Sequence, residues 1–391
     1  MSLLQKARER DALLIFDVGS GSVGGAIVLD GKGEPPTVLY GTRSEILFQQ
    51  ELTASRLLSL CLRALSEVVL AIEHEGFDKA GFAGHRPSVA EAIVSLSAPW
   101  TVSKTSFLRL RNEHPARITE AMFKALLEDD RRAAVASVPK GGVEIERKLV
   151  KSVLNGYETA EPYGKEALTA EFATLSSYTL PKLKEKVTDI ISHRLHAKTI
   201  SFHSFSLLSF AVLRELFPTS ENFIFVDVSG EQTEVSVVKK NVSLETISFP
   251  FGKNHMIRVL ERDGKLPPSG AESFMKLYGE GKMESKLSEK AATIISQCEE
   301  EWLRHFFKAL TQFSEEVFLP EVLYIAADAH VSLLIERIVK KGDFSKFTLA
   351  SAPFRTLIID ESVLGAHIRT SLSDPFISLI ALAAGRIRGS F

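Results

Sequence analysis

Residues 13–30 read LLIFDVGSGSVGGAIVLD. An apolar run over 13–16 ends in Asp17, a Gly/Ser turn occupies 19–21, and residues 26–29 form a second apolar run. The pattern predicts a buried strand, a tight turn and a returning strand, because glycine reaches the φ > 0 conformations such turns use. Gly and Ser at the turn also present backbone N–H groups and a hydroxyl, the parts of an anion-binding nest. Taken alone, the stretch reads equally well as an ordinary hairpin with an Asp capping its turn.

A second copy shifts that balance. Residues 223–239 read FIFVDVSGEQTEVSVVK, again an apolar run, an aspartate (Asp227), a polar turn and an apolar return. Laying Asp227 on Asp17 pairs Val18 with Val228, Gly19 with Ser229, and Ile27 with Val237. The offset of 210 residues is far beyond a solenoid or propeller period, and fits a duplicated domain with one hairpin at the head of each half. Two such hairpins face to face would gather two carboxylates and two nests around one polyphosphate–metal group, since Mg²⁺ keeps most of its waters and takes few carboxylates.

A chain of 391 residues has material for two or three domains. Its net charge of −2 supplies no basic field, so nucleic acid is not implied. Cys61 and Cys298 encode neither a disulfide framework nor a CxxC metal site, and a reducing compartment is the simplest fit. No apolar run reaches the roughly 18 residues of a membrane span, and the start, MSLLQKARERDALL, lacks a signal-peptide core. The expectation is a cytoplasmic protein without direct membrane insertion.

Along the chain, residues 1–12 read as a polar arm or short helix. Residues 55–74 carry apolar side chains at helical spacing, and 77–82 form a Gly-containing break. Between 92 and 193 the pattern runs strand, helix over 117–139, strands at 144–153 and 167–176, and a helix at 182–194, an α+β unit of domain size. Strands at 199–202, 243–249, 320–327 and 356–360 alternate with helices at 207–216, 255–262, 271–278, 288–313, 331–340 and 374–386.

The paired strand–Asp–turn–strand units resemble the phosphate motifs of the actin-like ATPases, the superfamily of actin, Hsp70 and sugar kinases. Within it the chain is most similar to the FtsA and PilM families. The resemblance implies an α/β, two-lobed actin-like (duplicated ribonuclease-H-like) fold with an inserted α+β subdomain of the SHS2 type. It divides the chain into a first lobe (1–91, 193–220 and 372–391), the insertion (92–192), a second-lobe core (221–260 and 320–371) and a helical nucleotide-side subdomain (261–319). It also implies ATP with Mg²⁺ as ligand. Asp17, Gly19, Ser20, Gly21 and Ser22 would meet phosphate, as would Asp227, Ser229, Gly230 and Thr233 from the second motif. Asp17 and Asp227 would hold Mg²⁺ through water. Gly252 would lie in the Gly–helix segment after the second motif, Glu272 and Lys276 in an AE-x-x-K helix approaching the nucleotide, and Ala327 in the turn against which adenosine packs.

Three places depart from that pattern. Ser229 and Glu231 stand where the family has Gly, and an acid beside phosphate is unfavourable when desolvated. After the strand at 320–327, YIAADAH replaces a Gly-Gly turn; Ala326, Ala327 and Ala329 add Cβ atoms where a base would touch backbone, and Ala adopts φ > 0 poorly. The phosphate half of the expected cleft is thus better kept than the adenosine half. No residue is singled out by spacing as catalytic.

Other clusters read more simply. His193, His196 and His203 cross a helix end and a strand without a Cys or carboxylate partner, so they read as surface or core histidines. Glu299, Glu300 and Glu301 read as a solvated helix face. The arginines at 109, 111, 117, 131 and 132 make the insertion locally basic, and residues 106–108 and 94–96 read as sheet edges for a partner strand. The end of the chain is too short and Gly-broken for an amphipathic membrane helix. The leading expectation is an FtsA/PilM-type ATP-binding cytoskeletal or platform protein, at most a weak ATPase. It would act through a protein partner of the divisome or pilus-platform type, or through self-assembly by the insertion, and be recruited to the membrane through a partner. The alternative is a pseudo-ATPase scaffold of the same fold. A phosphotransferase ranks last, because no motif places a general base.

Overall fold

The computed structural model describes residues 12–30, 33–46, 49, 51–82, 89–134, 141–282, 287–314, 318–349 and 351–388. The arm read at residues 1–12 lies outside them, save Ala12, which opens the first strand. Strand β1 (Ala12–Val18) turns into antiparallel β2 (Ser22–Leu29), placing Asp17 opposite Gly24, and β3 (Thr37–Glu45) continues the meander. Helix α1 (Ala54–Ala71), capped by the Thr53 hydroxyl, buries Leu57, Cys61, Leu65 and Val68 on one face. It runs on through π-type turns to Phe82 where the sequence pointed to a break, and Gly81, at φ 89°, kinks it. Strand β4 (Val89–Leu96) then pairs parallel with β1.

Next come β5 (Thr101–Arg117), α2 (Glu120–Ala134), β6 (Val143–Leu154), the short β7 (Tyr157–Glu158) and β8 (Glu166–Thr179). β5 and β6 flank β8 antiparallel, and α2 covers them over a small core that includes Leu108, Ile118, Leu154 and Phe172. Two boundaries differ from expectation. Residues 92–96 belong to β4 in the first sheet, and α3 (Pro181–Leu195) packs Leu183, Val187 and Ile191 into the core under that sheet. Of the stretch read as an insertion, the elements outside the first sheet and its core span Thr101–Thr179. β9 (Thr199–Ser204) pairs parallel with β4, and α4 (Phe205–Leu216) leads to the second lobe.

There the pattern repeats. β10 (Phe223–Val228), β11 (Thr233–Lys239) and β12 (Val242–Phe249) form a meander, with Asp227 opposite Glu234. Helices α5 (Lys253–Gly264), α6 (Pro268–Gly279) and α7 (Leu287–Ser314) precede β13 (Val322–Ala327), which is parallel to β10. Then come α8 (Ser332–Lys341), β14 (Arg355–Ile358), α9 (Glu361–Leu364) and α10 (Pro375–Arg388). Among the described residues one sheet has the order β3-β2-β1-β4-β9 and the other β14-β13-β10-β11-β12-β5-β8-β6-β7. A three-strand meander followed by two parallel strands occurs in both, which is the expected duplication. β5 joins the second sheet where Lys104 pairs with Glu245.

Side-chain alternation along the strands positions the site. In β1, Leu14 and Phe16 face the core shared with α1 and α3, whereas Leu13 and Ile15 face a core between the sheets that α4 and α10 fill. In β10, Ile224 and Val226 face the helices α5–α8, whereas Phe223 and Phe225 face that same intersheet core. Asp17 and Asp227 are the next residues on the inner faces, so a period of two aims both carboxylates between the lobes. The acidic run on α7 is not uniformly solvated, because Glu299 is buried and paired with Lys341.

Candidate functional site at the lobe interface

A cavity of about 420 Å³ lies between the lobes and is lined by both turns, by the start of α10 and by the segment after β13. Of the residues singled out in the sequence, Asp17, Gly19, Gly21, Ser22, Asp227, Ser229, Gly230 and Ala327 line it. The first turn is held by Gly19 N–H donating to the Ser22 carbonyl, and by the Trp100 indole donating to the Gly19 carbonyl. The second is held by Ser229 N–H donating to the Gln232 carbonyl.

The two turns touch. An added Cβ on Gly21 would lie 2.7 Å from the Gly230 Cα, and one on Gly230 would lie 2.3 Å from the Gly21 Cα. Ser20 Oγ is 2.8 Å from Ser229 Oγ and accepts from Glu231 N–H. Gly252 packs beneath, where a Cβ would lie 2.4 Å from the Ser229 carbonyl oxygen. Glu231 is matched by α5, since Arg258 and Asn254 both donate to its carboxylate.

Two cations that sequence reasoning did not single out reach the cavity. Arg43, from β3, donates to Asp17 at 2.9 Å, to Asp374 at 2.8 Å and to Ser22 Oγ at 2.8 Å. Lys253, 5% exposed at the start of α5, reaches Asp328 at 3.2 Å, Glu272 at 3.3 Å and Glu45 at 3.7 Å. A cation at a helix N-terminus opposes the macrodipole, so a Lys directly after Gly252 was the one local signal of a carboxylate cluster. For Arg43 no such signal exists, because its partners come from β1 and from a loop more than 300 residues away.

Electrostatics follow from burial. Burial raises the Asp17 carboxyl, Arg43 opposes the rise and Asp374 adds to it, with a raised result. Asp227 is raised well above the ordinary range, first by burial, then by Glu234 and Asp17, against a hydrogen bond from Ser97. Its Oδ1 is buried without a hydrogen-bond partner. Burial pushes Glu234 up to about 7, opposed by Ser206. Asp328 is lowered: burial works against ionisation, but Lys253 and the His330 N–H outweigh it.

Behind Glu234 a buried seam of hydroxyls crosses to β5 and β8. Ser206 lies 3.4 Å from Ser103, Ser103 lies 2.9 Å from Ser177, and Ser177 donates to Ser204 at 3.0 Å. Ser204 donates to Glu146, whose other oxygen meets His203 Nδ1 at 2.8 Å.

The remaining sequence candidates divide. Thr233 is buried and donates to the Phe251 carbonyl while accepting from the Trp302 indole. Glu272 contributes through Lys253, whereas Lys276 is exposed and does not line the cavity. The 327–330 turn closes without a left-handed residue: Asp328 accepts from His330 N–H and its carbonyl from Val331 and Ser332 N–H, so alanines suffice there. Of the histidines, His193 contacts the Asp189 carbonyl, His196 ends α3, and His203 pairs with Glu146. Among the described residues no group of three or more His, Cys, Asp or Glu is disposed to hold a metal ion.

A structure of the PilM–PilN type IV pilus biogenesis complex aligns over 98% of this chain and 99% of its own, with a TM-score of 0.62 at 12% identity. This chain has the actin-like ATPase fold. A Bacteroides thetaiotaomicron protein with an actin-like ATPase fold and unknown function aligns over 98% and 99% (TM-score 0.44, 8% identity). A glycerol dehydratase reactivase aligns over 96% and 100% (TM-score 0.45, 9% identity). No protein-family model and no curated protein matches the sequence. Among the described residues no helix is long and apolar enough to cross a membrane.

Proposed function

We propose that this actin-fold protein is an assembly platform that works by binding other proteins, with its lobes held by its own side chains and without nucleotide turnover. The observation that carries the reading is Arg43, which occupies Asp17, Ser22 and Asp374 together. A triphosphate needs donors, yet Gly19, Ser229 and Glu231 N–H groups all donate to protein acceptors. Lys253 lies between Asp328 and Glu272, the segments expected to meet the nucleoside. The residues thus do not fit a nucleotide–Mg²⁺ pair in this lobe arrangement. The fold shared with a PilM–PilN complex supports a protein partner, of the pilus-platform or divisome type, as the binding object. Recruitment from the cytoplasm to a membrane would then run through that partner.

A nucleotide-switch reading rests on a specific observation too, the cavity between the two turns. In it Mg-ATP would open the Arg43 pairs, and Asp17 and Asp227 would hold the metal. Thermal unfolding with Mg-ATP raised to millimolar separates the readings. A ligand at 100 times its Kd adds about 2.7 kcal/mol by mass action. We expect no saturable shift. A shift that Asp17→Ala abolishes would sink the platform-only reading and establish the switch.

A further inference from the structure

Acidic side chains dominate the cavity: Asp17, Asp227, Asp328, Asp360, Glu361 and Asp374 line it, against Arg43 and Lys253. Most already have partners. Arg43 takes Asp17 and Asp374, Lys253 takes Asp328, Asp360 accepts from Ser362, and Glu361 accepts from Ser373. Asp227 differs. It is 2% exposed, it lines the cavity, and its Oδ1 has no hydrogen-bond donor. A buried, unmatched carboxylate oxygen is costly unless a donor or a cation reaches it.

We propose that the cavity binds a small organic cation, an amine or diamine, whose ammonium group donates to Asp227 at the base. Resting on the platform reading, this names the ligand class of the same cleft. A polyanion would meet an excess of carboxylates; a cation relieves it. An ammonium brings several donors to the buried Asp227 oxygen that lacks one. The apolar side chains of Ile358, Ile359 and Phe376 in the wall suit a carbon chain better than a hydrated metal ion. The cluster also fails the convergence a metal requires, since no group among the described residues is disposed to hold one.

The test is calorimetric titration of the full chain with 1,4-diaminobutane and with spermidine at matched ionic strength. Mg²⁺ alone and Mg-ATP are titrated in parallel. Saturable binding of an amine is expected, with Asp227, raised well above the ordinary range in the free protein, giving up its proton on binding. Binding should be weakened about tenfold or more in Asp227→Asn, as loss of a charged hydrogen bond implies. Ala329 is exposed and lines the cavity, so Ala329→Arg should weaken binding without touching the base. That variant keeps the test open if Asp227→Asn does not fold. No saturable amine binding, unchanged affinity in the variants, or full displacement of the amine by Mg²⁺ alone would each overturn the proposal. Binding of Mg-ATP with no amine binding would fell both readings; absence of both would fell this one and leave the platform reading standing.

Discussion

Arg43 shows how one side chain can decide what a cleft does. Its guanidinium is the cationic partner of Asp17, a carboxylate 3% exposed. Removing one member of a buried pair leaves the other desolvated and typically costs about 3–5 kcal/mol. Arg43→Met should lower stability on that order in urea unfolding. The loss should grow with pH. A carboxylate with a raised folded pKa contributes stability that is present below its unfolded value and lost as pH rises through the folded one. Asp17 is already raised, and deleting Arg43 raises it further, so the penalty should be larger at pH 8 than at pH 5. An equal penalty at both would mean that Asp17 stays neutral in the parent protein.

At the scale of elements, the β10–β11 ladder carries two acids that burial raises. Glu234 lies opposite Asp227 and is pushed up to about 7 from 4.5. The Glu234 contribution to stability should therefore fall between about pH 4.5 and 7 and level off beyond. Asp227 and Asp17 are raised in the same sense. Glu234→Gln should flatten part of this slope in melts taken across that window; a slope left intact would assign the fall elsewhere. These elements were also where the sequence was most legible. Apolar runs that end in Asp marked both hairpins and their carboxylates, because a strand–turn–strand pattern needs no distant partner. Helix α1 was legible for the same local reason. The packing of β4 and α3 was not: both are apolar wherever they pack, and only pairing with β1 and burial under the first sheet show what they pack against. Ala327–Ala329 read as a lost turn because the hydrogen bonds of Asp328 that close it depend on local geometry and on Lys253.

In the whole molecule, the lobes meet through bare backbone at Gly21 and Gly230. The contact is unyielding, since a peptide cannot swing aside as a side chain does. Gly21→Ala should force the turns apart, lower the melting temperature and raise the radius of gyration in small-angle scattering. Gly264→Ala, whose Cβ would meet Ile294 at an ordinary 3.5 Å, is the control that should change neither. If Gly21→Ala behaves like the control, the lobes are not seated on this contact. The separate halves of the cleft could be read from Asp17 and Asp227. Their closure could not, because Arg43–Asp374 and Lys253–Asp328 bring together residues far apart in the chain, and no local spacing encodes them.

The Gly21–Gly230 contact has a consequence for how this chain can vary. Glycine is the smallest residue, so every substitution at either position adds atoms on the line between the lobes. Sequence drift can wedge the halves apart there but has nothing left to trim that would bring them nearer. The present spacing is the floor of what mutation at these two positions can reach, and a descendant with a tighter cleft would have to rebuild the turns themselves.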